Sequence, residues 1–417
     1  MGSQPKLERN DKKMLIVERK LVSNRGHHHT QVAALKSFLP TYEAHLLTGD
    51  DYDGFLGPAT GRICQKELTL ARIGTKIRHG NFLTGVTSRI SLLKNGKIRV
   101  PGSAYGKTIA DICRHQNFGP QDLIVIPTAD LDSLESSIEA SRALGKNSPN
   151  ISLRFLNAEL GERKMAQRDK RLSVATDLPA NISLFSETEE LAAYLNDRFP
   201  LSVTGGFFMP CSILASEPSS LLHDDDRRMR VGVFGPPRPE KGSARLANII
   251  SALVGRVGSS NRIHFDFLVQ GSPKDFGTNG AYSAVGASTN ESTSVKVTRI
   301  ADRLSPPEFS KLFKSVDMIL LPYDPSIYSL QGSGVIQDGI SALKPIIYTK
   351  GMSMQSLLSH GNAVAAVSDD DFAASIMHVR DNLQAFSSGV EAAAQHYQYQ
   401  LTNSPFIRSL GLASLQG

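Results

Sequence analysis

Residues Ser305 to Thr349 read SPPEFSKLFKSVDMILLPYDPSIYSLQGSGVIQDGISALKPIIYT, and this stretch decides the fold. Ser305, Pro306 and Glu308 spell a helix start: a cap, a proline in the first turn and an acid three residues after the cap. The apolar run Met318 to Leu321 predicts a buried strand, which continues into Pro322-Tyr323-Asp324. The turn Gly332-Ser333-Gly334-Val335 then opens a helix, Val335 to Ala342, and Lys344-Pro345 breaks it before the apolar run Ile346 to Tyr348. Such a strand–loop–helix–strand unit leaves the helix N-terminus bare of bulky side chains. Its unpaired N–H groups and the positive pole of the helix dipole attract a phosphate.

The same alternation extends in both directions. Upstream, Met14 to Val17 predicts a first strand, a turn holding Gly26 follows, and a helix runs from about Thr30 to Leu39. Leu123 to Ile126, Ile151 to Leu156 and Ile182 to Phe185 read as further strands, with helices after the second and fourth of these four. Residues 216–230 change character, with Ser-Glu-Pro-Ser-Ser, then His223-Asp224-Asp225-Asp226 and arginines, and are expected to be a linker. The pattern restarts at Val231 to Phe234. In the next helix Leu246, Ile249, Ile250, Leu253 and Val254 fall on one face, and a strand follows at Ile263 to Val269. Residues 271–294 are rich in Gly, Ser, Thr and Asn and read as a mobile insertion or lid before a strand at Val295 to Val297.

Strands alternating with helices imply parallel sheets covered on both faces, and 417 residues exceed one ordinary core. The expectation is two tandem α/β domains: 1–215, a linker at 216–230, 231–395, and a tail at 396–417 that returns to the first domain. Three scattered cysteines without metal-ligand spacing point to buried thiols in a reducing compartment. The absence of a long apolar run or signal-peptide core predicts a cytoplasmic protein. A net charge of +6 suits anionic ligands, while the lack of a basic stretch interleaved with aromatics argues against nucleic acid.

Candidate chemistry gathers around the glycine turn. Asp338, one turn into its helix, suits ribose hydroxyls, as acidic residues do in dinucleotide folds. The segment Gly235-Pro236-Pro237-Arg238-Pro239-Glu240-Lys241-Gly242 follows the restarted first strand and ends in two cations suited to a diphosphate. A proline-stiffened surface turn with solvated charges is the equal alternative.

In order, the Pro-Glu-Lys-Gly turn, Leu-Ser-x-x-Glu, Val-Asp-x-x-Leu-Leu-Pro-Tyr, Gly-Ser-Gly-Val and Lys-Pro resemble the nucleotide-sugar half of retaining glycosyltransferases of the GT-B fold, the group 1 type. The resemblance covers roughly residues 231–349 and is one of outline in the N-terminal half. It implies two Rossmann-like domains facing across a cleft. It also implies a nucleoside diphosphate sugar and a glycan, lipid-linked or protein acceptor as partners, with no cofactor and no metal. By resemblance, Lys241 contacts the donor β-phosphate, Ser333, Gly334 and Val335 hold the phosphates, Asp338 holds the ribose, and backbone near Arg299-Ile300 holds the base. Gly26, with His28 beside it, approaches the diphosphate from the first domain.

Several positions depart from the family pattern. Asp338 stands where Glu is usual, Leu330 replaces an earlier Glu, and Pro236 or Gly235 replaces an arginine for which Arg238 substitutes. Where the first domain commonly has a histidine after its fourth strand, this chain has Pro127-Thr128-Ala129-Asp130, which makes Asp130 a third catalytic candidate. Asp130-Leu131-Asp132 also matches a metal-binding Asp-x-Asp pattern, but Asp132 reads better as a helix cap. Arg163, Lys164, Arg168, Lys170 and Arg171 form a basic cluster suited to peripheral contact with an anionic membrane, a solvated helix face being the plainer reading. The rivals are a catalytically inactive GT-B-like binding subunit and a nucleotide-sugar epimerase of the same fold. An NAD-dependent oxidoreductase ranks last, since no Gly-x-Gly-x-x-Gly follows the first strand of either domain.

Overall fold

The computed structural model describes residues 12–23, 27–63, 105–162, 164–174, 177–210, 228–258, 264–287 and 294–411. The chain divides into two compact units, Met1–Glu187 with Leu191–Phe207, and Thr188–Glu190 with Phe208–Gly417.

In the first unit the described strands are β1 (Lys12–Glu18), β2 (Tyr42–Gly49), β3 (Gly61–Ile63), β4 (Leu123–Ala129), β5 (Asn150–Phe155), β6 (Ile182–Ser186) and β7 (Val203–Thr204). They form one parallel sheet in the order β3-β2-β1-β4-β5-β6-β7, with Met14 opposite Leu123 and Ile151 opposite Ile182. Helices α1 (His27–Phe38), α2 (Gly106–His115), α3 (Leu131–Leu144), α4 (Met165–Val174) and α5 (Glu189–Arg198) alternate with them. Met14 to Val17 and Leu123 to Val125 are continuously buried because a parallel strand is covered on both faces. That is why these runs were legible as strands.

The second unit repeats the plan with β8 (Met229–Val233), β9 (Phe265–Gln270), β10 (Val295–Ile300), β11 (Met318–Leu321), β12 (Ile346–Thr349) and β13 (Ala363–Ala366). Their order is β10-β9-β8-β11-β12-β13, parallel throughout. Its helices include α6 (Leu246–Val257), α7 (Pro306–Ser315), α8 (Gly334–Ser341), α9 (Asp369–Asp381) and α10 (Ser387–Thr402). Leu246, Ile249, Ile250 and Leu253 enter a core with Phe265, Phe267, Met318 and Phe372, and Val254 packs at its edge. The capping box of Ser305 and Glu308 starts α7 as expected.

Several expectations need correction. The linker expected at 216–230 lies outside the described residues up to 227, and its end is strand, because Met229 already pairs with Phe265. The lid expected at 271–294 is in its described part ordered structure. A 3-10 turn (Pro273–Phe276) and a short helix (Ser283–Ala287) are joined by Phe276 packed on Tyr282 at 5.2 Å. The expected break at 395/396 falls inside α10, and the described residues 396–411 group with the second unit. The helix expected from Thr30 begins at His27. Strands β2 and β3 and helix α2 were not anticipated.

Candidate functional site

Both sheets reverse their strand order once, between β1 and β4 and between β8 and β11. In open α/β sheets the crevice outside the carboxyl ends of such strands is where ligands bind. In the second unit this crevice is built by the segments leaving β8 and β11.

The β8 segment turns sharply at Gly235 (φ +92°), whose N–H donates to Gln270 Oε1 at 2.7 Å. A 3-10 turn, Pro239–Lys241, follows and ends on Gly242 (φ +69°). Both glycines have left-handed backbone. An added Cβ would strike the fixed Pro322 carbonyl at Gly242, whereas at Gly235 it would displace the flexible end of Lys241. The Asp324 N–H donates to the Glu240 carbonyl at 2.8 Å and ties the two segments together.

Lys241 is thereby folded back over Gly235, its Nζ 5.5 Å from the centroid of the Tyr323 ring. Among the described residues its ammonium makes no ion pair and no hydrogen bond. Burial pushes its pKa down to about 8, the neighbouring Arg238 guanidinium adds to this, and Glu240 opposes it. Arg238 itself is 57% exposed and meets Glu240 at 3.8 Å, a surface pair of little strength.

The glycine turn approaches from the other side. Ser333 caps α8 without a side-chain capping bond, and its N–H donates to Met354 Sδ at 3.1 Å. The next two N–H groups, of Gly334 and Val335, make no hydrogen bond among the described residues, whereas that of Ile336 donates to Ser333 O. Ser333 also bears on the buried Tyr323 hydroxyl, so the turn, Tyr323 and Lys241 are neighbours. Asp338 lies one turn into α8 and is 3% exposed. Leu330 is half-buried before the turn. Ile300 ends the edge strand β10, and its carbonyl already accepts from Gly271 N–H at 3.0 Å.

The remaining candidates belong to the first unit. Gly26 lies outside the described residues. His28 stands in the first turn of α1 rather than in a loop, its Nδ1 3.5 Å from Glu18 Oε2. Glu18 is buried at the end of β1. Burial raises its pKa, but its bonds to His28, Thr128 and the Lys20 backbone outweigh that and hold it low. The cap of α3 is Asp130 and not Asp132, because the backbone turns at Asp130 (φ −137°, ψ −173°) and its carboxylate accepts from Ser133 N–H at 2.9 Å. Asp130 also pairs with Arg19.

The basic cluster divides: Lys164 and Lys170 are exposed, as a solvated face would have them, but the described arginines are engaged. Arg163 is outside the described residues, while Arg168 is buried against Ala158 O and Tyr194. Arg171 is bound by Asp132, Glu135 and Glu162. Among the described residues no group of three or more His, Cys, Asp or Glu side chains is placed to hold a metal ion, and no helix is long and apolar enough to cross a membrane. Sequence reasoning missed Glu18 and Arg19, although they directly follow the first apolar strand, where a sheet presents its ligands.

No protein-family model and no curated protein sequence matches the chain. Solved structures do match along almost its whole length. An α,α-trehalose-phosphate synthase (UDP-forming) from Burkholderia vietnamiensis aligns with a TM-score of 0.58 at 9% identity over 96% of this chain and 97% of that one. A glycosyltransferase from Rickettsia africae gives 0.57 at 13%, covering 97% and 100%. An S. aureus TarM mutant in complex with fondaparinux, alpha-GlcNAc-glycerol and UDP gives 0.58 at 10%, covering 96% and 99%. At such identities the likeness is one of fold. In fold, the chain belongs with the GT-B glycosyltransferase structures.

Proposed function

We propose that the protein is a retaining, metal-independent glycosyltransferase that moves a sugar from a nucleoside diphosphate sugar to an acceptor hydroxyl. One observation carries this reading. The Lys241 ammonium is largely withdrawn from water at the β8–β11 switch point, and among the described residues no carboxylate forms an ion pair with it, Glu240 acting only from a distance. Withdrawing a charge from water without a partner is costly, so such a group marks a place for a ligand of opposite sign.

The first turn of α8 adds backbone donors and Arg238 adds a second, mobile cation. As the sugar–phosphate bond loosens, negative charge grows on the departing diphosphate, and these groups stabilise it where it forms. The acceptor attacks from the face that the diphosphate leaves, its hydroxyl proton passing to the leaving phosphate oxygen. Cations and helix terminus together supply the charge stabilisation that a divalent ion supplies elsewhere. The trehalose-phosphate synthase is UDP-forming and the TarM structure holds UDP, which supports UDP-sugars as the first donors to try.

A screen of UDP- and GDP-sugars for hydrolysis and for thermal stabilisation tests the proposal. Turnover that survives both Lys241→Ala and Asp338→Ala would overturn it. The rival, a catalytically inactive binding subunit, is favoured by Leu330, an apolar side chain beside the turn. It predicts no turnover of any donor. Any peripheral membrane contact would rest on the exposed Lys164 and Lys170, since Arg168 and Arg171 are engaged inside the first unit.

A further inference from the structure

Tyr323 lies on the segment that leaves β11 at the switch point, and it is 2% exposed. Its ring has Lys241 Nζ at 5.5 Å and packs on Tyr328 at 4.5 Å between centroids, tilted by 48°. Its hydroxyl is enclosed and makes no hydrogen bond meeting ordinary geometry among the described residues, although Ser333 lies alongside. A buried hydroxyl left unpaired destabilises the fold. The hydroxyl therefore does not explain why a tyrosine ring stands here; the ring face does.

An aromatic face attracts an ammonium, more strongly when water is excluded. Lys241 has a long, flexible stem, and its Nζ lies over the bare backbone of Gly235. Glu240 attracts the ammonium without an ion pair among the described residues and Arg238 repels it, while the Tyr323 ring offers a face at 5.5 Å against which it rests. Tyr328 packs against the ring and limits its rotation.

We propose that Tyr323 is a positioning residue: its ring face holds the Lys241 ammonium at the mouth of the β8–β11 crevice, where it meets the distal phosphate of a nucleoside diphosphate. The proposal rests on the nucleotide-sugar reading above. It predicts selective weakening, because a nucleoside monophosphate lacks the phosphate that Lys241 would meet.

The test is calorimetric titration of the full chain with UDP and UMP, for the wild type, Tyr323→Phe, Tyr323→Leu and Lys241→Met. Tyr323→Phe keeps the face and should bind both nucleotides as the wild type does. Tyr323→Leu should bind UDP about tenfold more weakly and UMP unchanged, and adding Lys241→Met to it should cost nothing further. Should Tyr323→Leu fail to fold, Tyr323→Met fills the volume without a ring and carries the same expectation. Unchanged UDP affinity in the ring-less variants overturns the proposal. So does an equal loss in Tyr323→Phe, which would shift the role to the hydroxyl. A wild-type chain that binds neither nucleotide, nor GDP and GMP, overturns the nucleotide-sugar reading itself.

Discussion

Arg154 donates to the Glu187 carboxylate at 2.7 Å, and the arginine side chain has no exposed surface. The same guanidinium donates to Phe207 O at 2.6 Å and Pro127 O at 3.2 Å, so one side chain satisfies three acceptors from separate segments of the first unit. Removing one partner of a buried pair strands the other charge, at about 3–5 kcal/mol. Arg154→Met should lower the urea-unfolding free energy by that amount. The double variant Arg154→Met/Glu187→Leu should recover part of the loss, since no charge is then stranded. A cost below about 1 kcal/mol for the single variant would mean the pair is hydrated.

Asp130 was a catalytic candidate by position, yet its carboxylate caps α3 and pairs with Arg19. A lost cap costs about 0.5–2 kcal/mol, and the stranded arginine adds to that. Asp130→Ala should therefore lower the melting temperature while turnover, measured where the variant is folded, stays close to the wild type. Asp130→Asn, which keeps a capping oxygen, should lie between the two in stability. An Asp130→Asn protein that melts normally but has lost turnover would restore the catalytic role.

The strands that flank both switch points were legible because burial on two faces leaves an unbroken apolar run, as in Met14 to Val17 or Met318 to Leu321. Strand β2, Tyr42–Gly49, was not, since Glu43 and His45 interrupt it and only its second half is continuously buried. Local chemistry placed the start of α7 correctly because Ser305 and Glu308 act within one turn. It failed at Asp130 and Asp132, where two aspartates compete and only the backbone turn decides. Arg168 read as part of a solvated cluster, and Arg154 was not singled out, because their acceptors come from distant segments or from the backbone. Lys241 and the glycine turn were legible by pattern, whereas Tyr323 gains its place only when β8 and β11 lie side by side.

Gly235 has room for Lys241 only because it has no side chain. Gly235→Ala would both strain a backbone at φ +92° and displace the ammonium. Gly258, at φ +57° with nothing within 4 Å of an added Cβ, provides the control for backbone strain alone. Gly235→Ala and Gly258→Ala should lose similar stability, about 1 kcal/mol. Only the former should lose UDP affinity, by about tenfold or more. Equal affinities in the two variants would show that Nζ relocates without consequence.

The lowered pKa of Lys241 fixes the sign of two pH effects. Burial, reinforced by Arg238, disfavours its charged form in the folded chain, with a pKa of about 8 against an ordinary 10.5. Below about pH 8 the lysine is charged in both the folded and unfolded states, and the full cost of burying it is present. That cost is relieved as pH rises from about 8 towards 10.5, so this group makes the folded state more stable over that interval. Diphosphate binding runs the other way, because the ligand needs the ammonium. Above about pH 8 the free protein must take up a proton to bind, and affinity should fall by up to about tenfold per pH unit. Titrations with UDP at about pH 9, in buffers of different ionisation enthalpy, should register an uptake approaching one proton. Lys241→Met should bind more weakly, with a flat profile and no uptake from this group. A wild-type profile as flat as the variant's would mean that Lys241 does not face the phosphates.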